Sequence, residues 1–392
     1  MNNFMAFNPT RVHFGVEVVS ELGNHAAMLG SHALLIYGKG SALKNGSYHD
    51  TLASLKKHNI KVTEYSGIKS NPVVDDVMEA SAVGRRNGVD MVVAVGGASV
   101  IDTAKITALC IADNADAWEL VMKKQPVQSA IPIITVLTLA ATGTEMNQTT
   151  VLMNNHTKLK KGFKHELMYP THSYMDPTYT LSVPRNYTAY GIVDLITHCL
   201  EAWFGESDTS LCDRFVLAII QEALEFGPQL MDNLQDIKLR AKIMWAATNA
   251  LNNMTSYGRT SPDWGVHVLA HTFSVLYDTP HGASLSIVYP AWLRVMSDRA
   301  NDRIAALGEG LFGDPSVEKT ISSLETFFAN LGSPIRCRDA AIKPAGKAEL
   351  LSLWNKNNAQ GLNYHLSDEE REKILTFTFE NQGSHSIGTS SS

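Results

Sequence analysis

Cysteine is scarce in this sequence: Cys110, Cys199, Cys212 and Cys337 are scattered over 392 residues without a CxxC pair. A chain of this size needs no disulfide staples to fold, and the spacing fits a reducing compartment. Charge of one sign is lacking as well. The 33 basic and 39 acidic residues leave a formal charge of -6, and no block of five or six like charges occurs, so nucleic acid and membrane surfaces are poor partners. No run approaches the roughly 18 apolar residues of a membrane span. The opening stretch, Met1 to Thr10, has neither the basic region nor the apolar core around which export signals are built. No internal repeat is present. Together these absences lead to the expectation of a cytoplasmic protein.

What is present is ordinary globular composition, 44% hydrophobic and 18% charged, in a chain long enough that one core would divide into two. The first half alternates short apolar runs with amphipathic stretches, the pattern of an α/β doubly wound parallel sheet. His32 to Tyr37, Asp90 to Val95 and Ile131 to Leu137 read as strands, and Asp75 to Asn87 as a helix. The three strands end at Gly38-Lys39-Gly40-Ser41, at Gly96-Gly97, and at Thr138 with the turn Thr142-Gly143-Thr144-Glu145. Ligands of open α/β sheets bind beyond the carboxyl ends of strands, so a phosphate is expected there. After Pro184 the periodicity becomes helical, with Tyr187 to Trp203, Arg214 to Leu230 and Leu239 to Asn252 as examples. The expected division is a dinucleotide-binding α/β domain at 1–182, an all-helical metal and substrate domain at 183–380, and a Ser/Gly-rich tail at 381–392.

Within the helical half, Asp194 and His198 are four residues apart and project from one face of a helix. His267 and His271 repeat that spacing, and His281 follows in Thr279-Pro280-His281-Gly282. A lone histidine in a helix is ordinarily a surface or hydrogen-bonded core residue. An acid with three or four histidines beside a nucleotide domain is instead a nitrogen and oxygen ligand set suited to zinc or ferrous iron rather than to calcium or magnesium.

The ordered motifs resemble the iron-containing alcohol dehydrogenase family across nearly the whole chain. One signature stands here as Asp176, Pro184, Ala189, Gly191, Asp194 and Glu201; the other as Gly265-Val266-His267, Ala270-His271 and Pro280-His281-Gly282. The loop Gly96-Gly97-Ala98-Ser99-Val100-Ile101-Asp102-Thr103-Ala104-Lys105 resembles the family's glycine-rich loop, with Ala98 where a third glycine stands. The segments Leu137 to Asn147 and Met244 to Thr248 are similar to the broad-range aldehyde reductase and butanol dehydrogenase branch. The resemblance implies a dehydroquinate synthase-like architecture and a homodimer. It also implies that Asp194, His198, His267 and His281 are metal ligands and that His271 lies near nicotinamide and substrate without ligating. Asn71, Asp102, Thr138, Leu139, Thr142, Asn147 and Lys160 are implied to approach the cofactor, although Lys160 also reads as part of a charged surface loop, Lys158 to Lys161.

The Gly96, Gly97, Ala98, Ser99 turn follows a strand and precedes a helix, so its amides can cradle a pyrophosphate. An acid after an early strand would repel a 2′-phosphate, and Gly38, Lys39, Gly40 and Ser41 contain none, so NADP(H) is preferred with NAD(H) possible. The metal, Fe2+ or Zn2+, would act as a Lewis acid toward the substrate oxygen while hydride passes between nicotinamide and a small aliphatic alcohol or aldehyde. His271 is the candidate proton relay. Met254, Tyr257, Trp264, Phe273 and Tyr277 are candidate pocket walls. The rival readings are a glycerol dehydrogenase-like polyol oxidoreductase and a metal- or nucleotide-binding protein without turnover.

Overall fold

The computed structural model describes residues 1–206 and 208–380, so the expected tail at 381–392 lies outside the described residues. Its strands are β1 (Arg11–Phe14), β2 (His32–Gly38), β3 (Lys61–Ile68), β4 (Met91–Gly96), β5 (Ile133–Leu137), β6 (Thr149–Asn154), β7 (Leu159–Lys164) and β8 (His172–Met175). Six of them form one sheet in the order β1-β8-β5-β4-β2-β3, every neighbouring pair parallel. The apolar runs of β2, β4 and β5 are continuous rather than alternating because both faces are covered: Leu35, Val93 and Val136 face one core, and Leu34, Val92 and Ile133 the other. The order reverses between β2 and β4, which places the topological switch point at Gly38 and Gly96.

Three of the parallel strands go beyond the sequence reading. β1, β3 and β8 are short or half-exposed, with polar residues such as Arg11, Lys61, Glu64 and His172, and they carry too little apolar periodicity to announce themselves. The Lys158 to Lys161 stretch is not a free surface loop either. It enters β7, which pairs antiparallel with β6, and Lys160 there is buried.

From Arg185 to Phe379 the described residues form helices and no strand. The Arg185–Trp203 helix is buried along nearly its whole length, as expected of a helix apolar all round, and it packs on the Ser210–Asp232, Ile237–Ala250 and His281–Val295 helices. It comes close to the sheet half at Gly191, where an added methyl group would stand 2.3 Å from the Ala140 carbonyl oxygen in the loop after β5. Gly191→Ala therefore has to push the strand-end loop away from the helix. We expect a loss of roughly 1–3 kcal/mol, the usual penalty for overpacking, seen as a lower apparent Tm; an unchanged Tm would show that the contact is slack.

Candidate active site

The two halves enclose a cleft of about 1590 Å³ above the carboxyl ends of β2, β4 and β5. On the sheet side it is lined by Gly38, Lys39, Gly40 and Ser41, by Gly97, Ala98 and Ser99, by Asn71 and Asp102, by Leu139, Thr142 and Asn147, and by Lys160. Gly96 and Thr138 are buried beneath this lining, joined by the Thr138 amide donating to the Gly96 carbonyl at 3.0 Å. Gly97 caps the Ala98–Asp113 helix, so the first amides of that helix face the cleft. Ala98 begins the helix and needs no positive φ, which is why a methyl group is accommodated where a third glycine was expected.

The loop after β5 is held by a buried cation. Lys105 is fully buried, and its Nζ donates to Thr144 Oγ1 (2.8 Å), the Asn147 carbonyl (2.8 Å), Asn147 Oδ1 (3.1 Å) and the Thr149 carbonyl (2.7 Å). Thr144 in turn donates to Asp102 Oδ1 at 2.6 Å, and the Val151 amide donates to Asp102 Oδ2 at 2.8 Å. Burial pulls the Lys105 ammonium down to about 8 against the opposing pull of Asp102 and Glu145, and burial pushes both carboxyls up. The same loop reaches the helical half, where Thr248 donates to Glu145 Oε1 at 2.5 Å and Asn147 Nδ2 donates to the Leu251 carbonyl at 3.1 Å. Asn71 makes a second link: its Nδ2 donates to Asp278 Oδ1 at 2.8 Å, and its Oδ1 accepts from Lys160 Nζ at 3.1 Å.

On the helical side, Asp194, His198, His267, His271 and His281 all line the same cleft. Asp194 Oδ1 stands 3.5 Å from His198 Nδ1, 3.8 Å from His267 Nε2 and 3.9 Å from His281 Nε2. The ligating atoms of Asp194, His267 and His281 lie within 4.8 Å of one another; His198 joins beside them, its ring stacked on His267 at 4.8 Å. Asp194, His198 and His267 are buried and His281 is half-buried, and Asp194 Oδ1, His198 Nδ1 and His267 Nε2 have no hydrogen-bond partner. Buried polar atoms without partners are uncommon, and several aimed at one point fit a metal ion. Burial pulls His198 down to about 4 and holds His281 and His271 well below the ordinary histidine value, leaving lone pairs free for ligation. His267 differs. Burial would lower it, but the nearby carboxylates of Asp194 and Glu201 raise it to about 9.

Glu201 was quoted above only as part of a motif, yet it fixes His267: its Oε1 accepts from His267 Nδ1 at 2.7 Å and from the His267 amide at 3.1 Å. The sequence carries a signal for this, since Asp194, His198 and Glu201 are spaced to share one helical stripe. His271 also lines the cleft, its ring 5.6 Å from His281 and its Nε2 unpartnered. Of the candidate pocket walls, Tyr257 and Trp264 line the cleft. Met254, Phe273 and Tyr277 do not. Met254 gives its carbonyl to Cys212 Sγ, Phe273 points from the opposite side of the His267 helix into the core near Trp354, and Tyr277 turns its hydroxyl to the Gly346 carbonyl.

The family model for iron-containing alcohol dehydrogenase matches residues 9–177, and the model for the C-terminal region of the Fe-containing alcohol dehydrogenase family matches residues 188–376. The chain is 35% identical over 385 residues to a probable NADH-dependent butanol dehydrogenase of Bacillus subtilis, covering 96% of this chain and 98% of that protein. It is 31% identical over 361 residues to the NADPH-dependent aldehyde reductase YqhD of Escherichia coli, covering 91% and 93%. The crystal structure of NADH-dependent butanol dehydrogenase A from Thermotoga maritima superposes with a TM-score of 0.94 at 32% identity, covering 97% of this chain and 99% of that one.

Replacing Lys105 by Met removes the cation while leaving Asp102 and Glu145 buried. A loss of roughly 3–5 kcal/mol is expected, as for other broken buried charge arrangements, measured by chemical denaturation. Adding Asp102→Asn to that variant should recover part of the loss; strictly additive losses would show that the two groups do not act together.

Proposed function

The chain belongs to the iron-containing alcohol dehydrogenase family, and on that footing we propose that it transfers hydride between NAD(P)H and a small aliphatic aldehyde, with the alcohol as product or reverse substrate. The observation that carries this reading is that the unpartnered donors around Asp194 open into the same cleft as the Gly97 to Ser99 turn. Bound there, a divalent metal supplies Lewis acidity toward a substrate oxygen, and the nicotinamide gives or takes the hydride.

Asp194, His198, His267 and His281 hold the ion, Fe2+ or Zn2+, since carboxylate and imidazole suit borderline metals. Glu201 keeps the proton on His267 Nδ1 so that Nε2 faces the ion. His271, with its free Nε2 in the cleft, hydrogen-bonds the substrate hydroxyl and hands on its proton. It does so as a neutral imidazole, because burial, the Lys160 charge and His267 hold its pKa down.

The cleft exceeds the roughly 300–1,000 Å³ usual for a single small ligand, leaving room for a dinucleotide beside the substrate. The amides of Gly97, Ala98 and Ser99 take the pyrophosphate at the helix N-terminus. Asn71, Asp102, Leu139, Thr142, Asn147 and Lys160 shape the remaining wall, with Gly96 and Thr138 as its support. Lys39 and Ser41 are exposed at the end of β2 with no acid beside them, which favours NADP(H) while leaving NAD(H) acceptable; relatives of both kinds carry these cofactors in their names. We assign cofactor binding to residues 1–182 and metal and substrate to 183–380. The more similar relatives, named butanol dehydrogenases and an aldehyde reductase, do not favour the polyol or the non-catalytic reading.

The assembly we propose is a homodimer, supported by the unpaired outer edge of β1 among the described residues and by Phe14, Val16 and Trp245 exposed around it. No described helix is long and apolar enough to cross a membrane, and four free buried cysteines suit a cytoplasmic location.

NADPH oxidation with butanal, run with and without a chelator, tests the whole reading; no turnover in the metal-loaded protein would sink it. His267→Ala is expected to lose metal and turnover together, whereas His271→Ala keeps its metal and loses turnover. Elemental analysis of both variants decides, and a full metal content in His267→Ala contradicts the ligand set. For the cofactor, Lys39→Asp is expected to raise KM for NADPH roughly tenfold or more, the effect of one lost charge-assisted contact, and to leave KM for NADH little changed. An unmodified enzyme whose kcat/KM already favours NADH contradicts the preference.

A further inference from the structure

A second group of histidines lies outside the cleft. His172 and Tyr174 alternate along β8 and so point to one face of the sheet, and β1 sets His13 beside Tyr174 in parallel register. His25, from the Leu22–Ala26 helix, packs on the same face. His13 Nε2 is 2.9 Å from His172 Nδ1, and His25 Nδ1 is 2.5 Å from the Tyr174 hydroxyl. The rings are stacked, with centroids 4.7 Å apart for His13 and His25 and 4.6 Å for His25 and His172. Each of the three histidines offers one nitrogen, and the three nitrogens lie within 4.8 Å of one another. None of these residues lines the cleft.

We propose that His13, His25 and His172 form a second metal site that takes one divalent transition-metal ion of the Zn2+, Ni2+ or Cu2+ class. An ion held tetrahedrally at about 2.0–2.1 Å sets its nitrogen ligands about 3.3 Å apart, between the closest pair here and the outer bound of the set. His13 and His172 have only to part slightly for the ion to replace their mutual hydrogen bond. Burial lowers both, His172 to about 4, with His25 and Arg11 adding to the effect, so both rings are neutral imidazoles at neutral pH and can ligate once the ion takes the place of that bond. Three imidazoles with no carboxylate in the set select against Mg2+ and Ca2+.

The three ligands come from three separate elements, two of them 159 positions apart in sequence. β1 is a four-residue edge strand whose sheet partner is β8. An ion at this place ties that strand and the Leu22–Ala26 helix to β8, so it acts as a structural clamp and takes no part in turnover. The inference stands independently of the activity proposed for the cleft.

Protein already carrying one equivalent of metal in the cleft is titrated with Zn2+ by calorimetry and then analysed for metal after gel filtration. The expected result is a second equivalent in the unmodified protein, with a rise in Tm. His25→Ala and His172→Ala are expected to lose that second equivalent and the Tm rise while keeping the first equivalent and full turnover. Loading with Cu2+ should add an electron paramagnetic resonance signal with nitrogen splitting that is absent from both variants. A single equivalent in the unmodified protein overturns the proposal even where a variant fails to fold, and so does a second equivalent that persists in both variants.

Discussion

Asp194 is a carboxylate with 3% of its surface exposed, carried by a helix that is core on nearly every side. A charge in such a place needs partners from outside its own helix, because its neighbours along the chain are apolar. The surrounding structure answers that need. The Gly265–Tyr277 helix brings His267, the next helix begins at His281, and Glu201, a turn beyond His198, steadies His267 through its other nitrogen. The helical half is arranged so that these groups meet beneath a cleft instead of being sealed in the core.

The opposite wall obeys a similar constraint with the sign reversed. Lys105 buries an ammonium among backbone and side-chain oxygens of the loop after β5, and that loop is fastened to the helical half through Glu145 and Asn147. Groups that line the cleft therefore also join its two sides. Asn71 is an example: it connects Lys160 on the β6–β7 hairpin to Asp278 at the end of the His267 helix. The spacing between the sheet side and the helical side of the cleft is thus set by buried polar contacts whose loss is costly, which gives the cleft a defined width.

Legibility in the sequence followed the strength of local pattern. Continuous apolar runs gave away β2, β4 and β5, and the fourfold spacing of Asp194 with His198 and of His267 with His271 gave away two helices that line the cleft. β1, β3 and β8 stayed hidden because they are short or half-exposed and carry polar residues, and Lys160 passed for a surface lysine because nothing in its neighbours records that a hairpin turns it inward. Phe273 and Tyr277 were misplaced for a related reason: aromatic residues on a site-bearing helix look alike until its orientation is known.

The sequence by itself determined the fold class, the order of the two halves and the residue types able to hold a metal and a dinucleotide, since each rests on periodicity or on motifs within a few turns of chain. Tertiary structure alone decided which of those groups meet. That His281 reaches Asp194, that Lys160 leaves the surface for Asn71, and that His13, His25 and His172 come together depends on contacts between segments far apart in the chain. Such contacts are fixed by the packing of whole sheets and helices, and no local pattern encodes them.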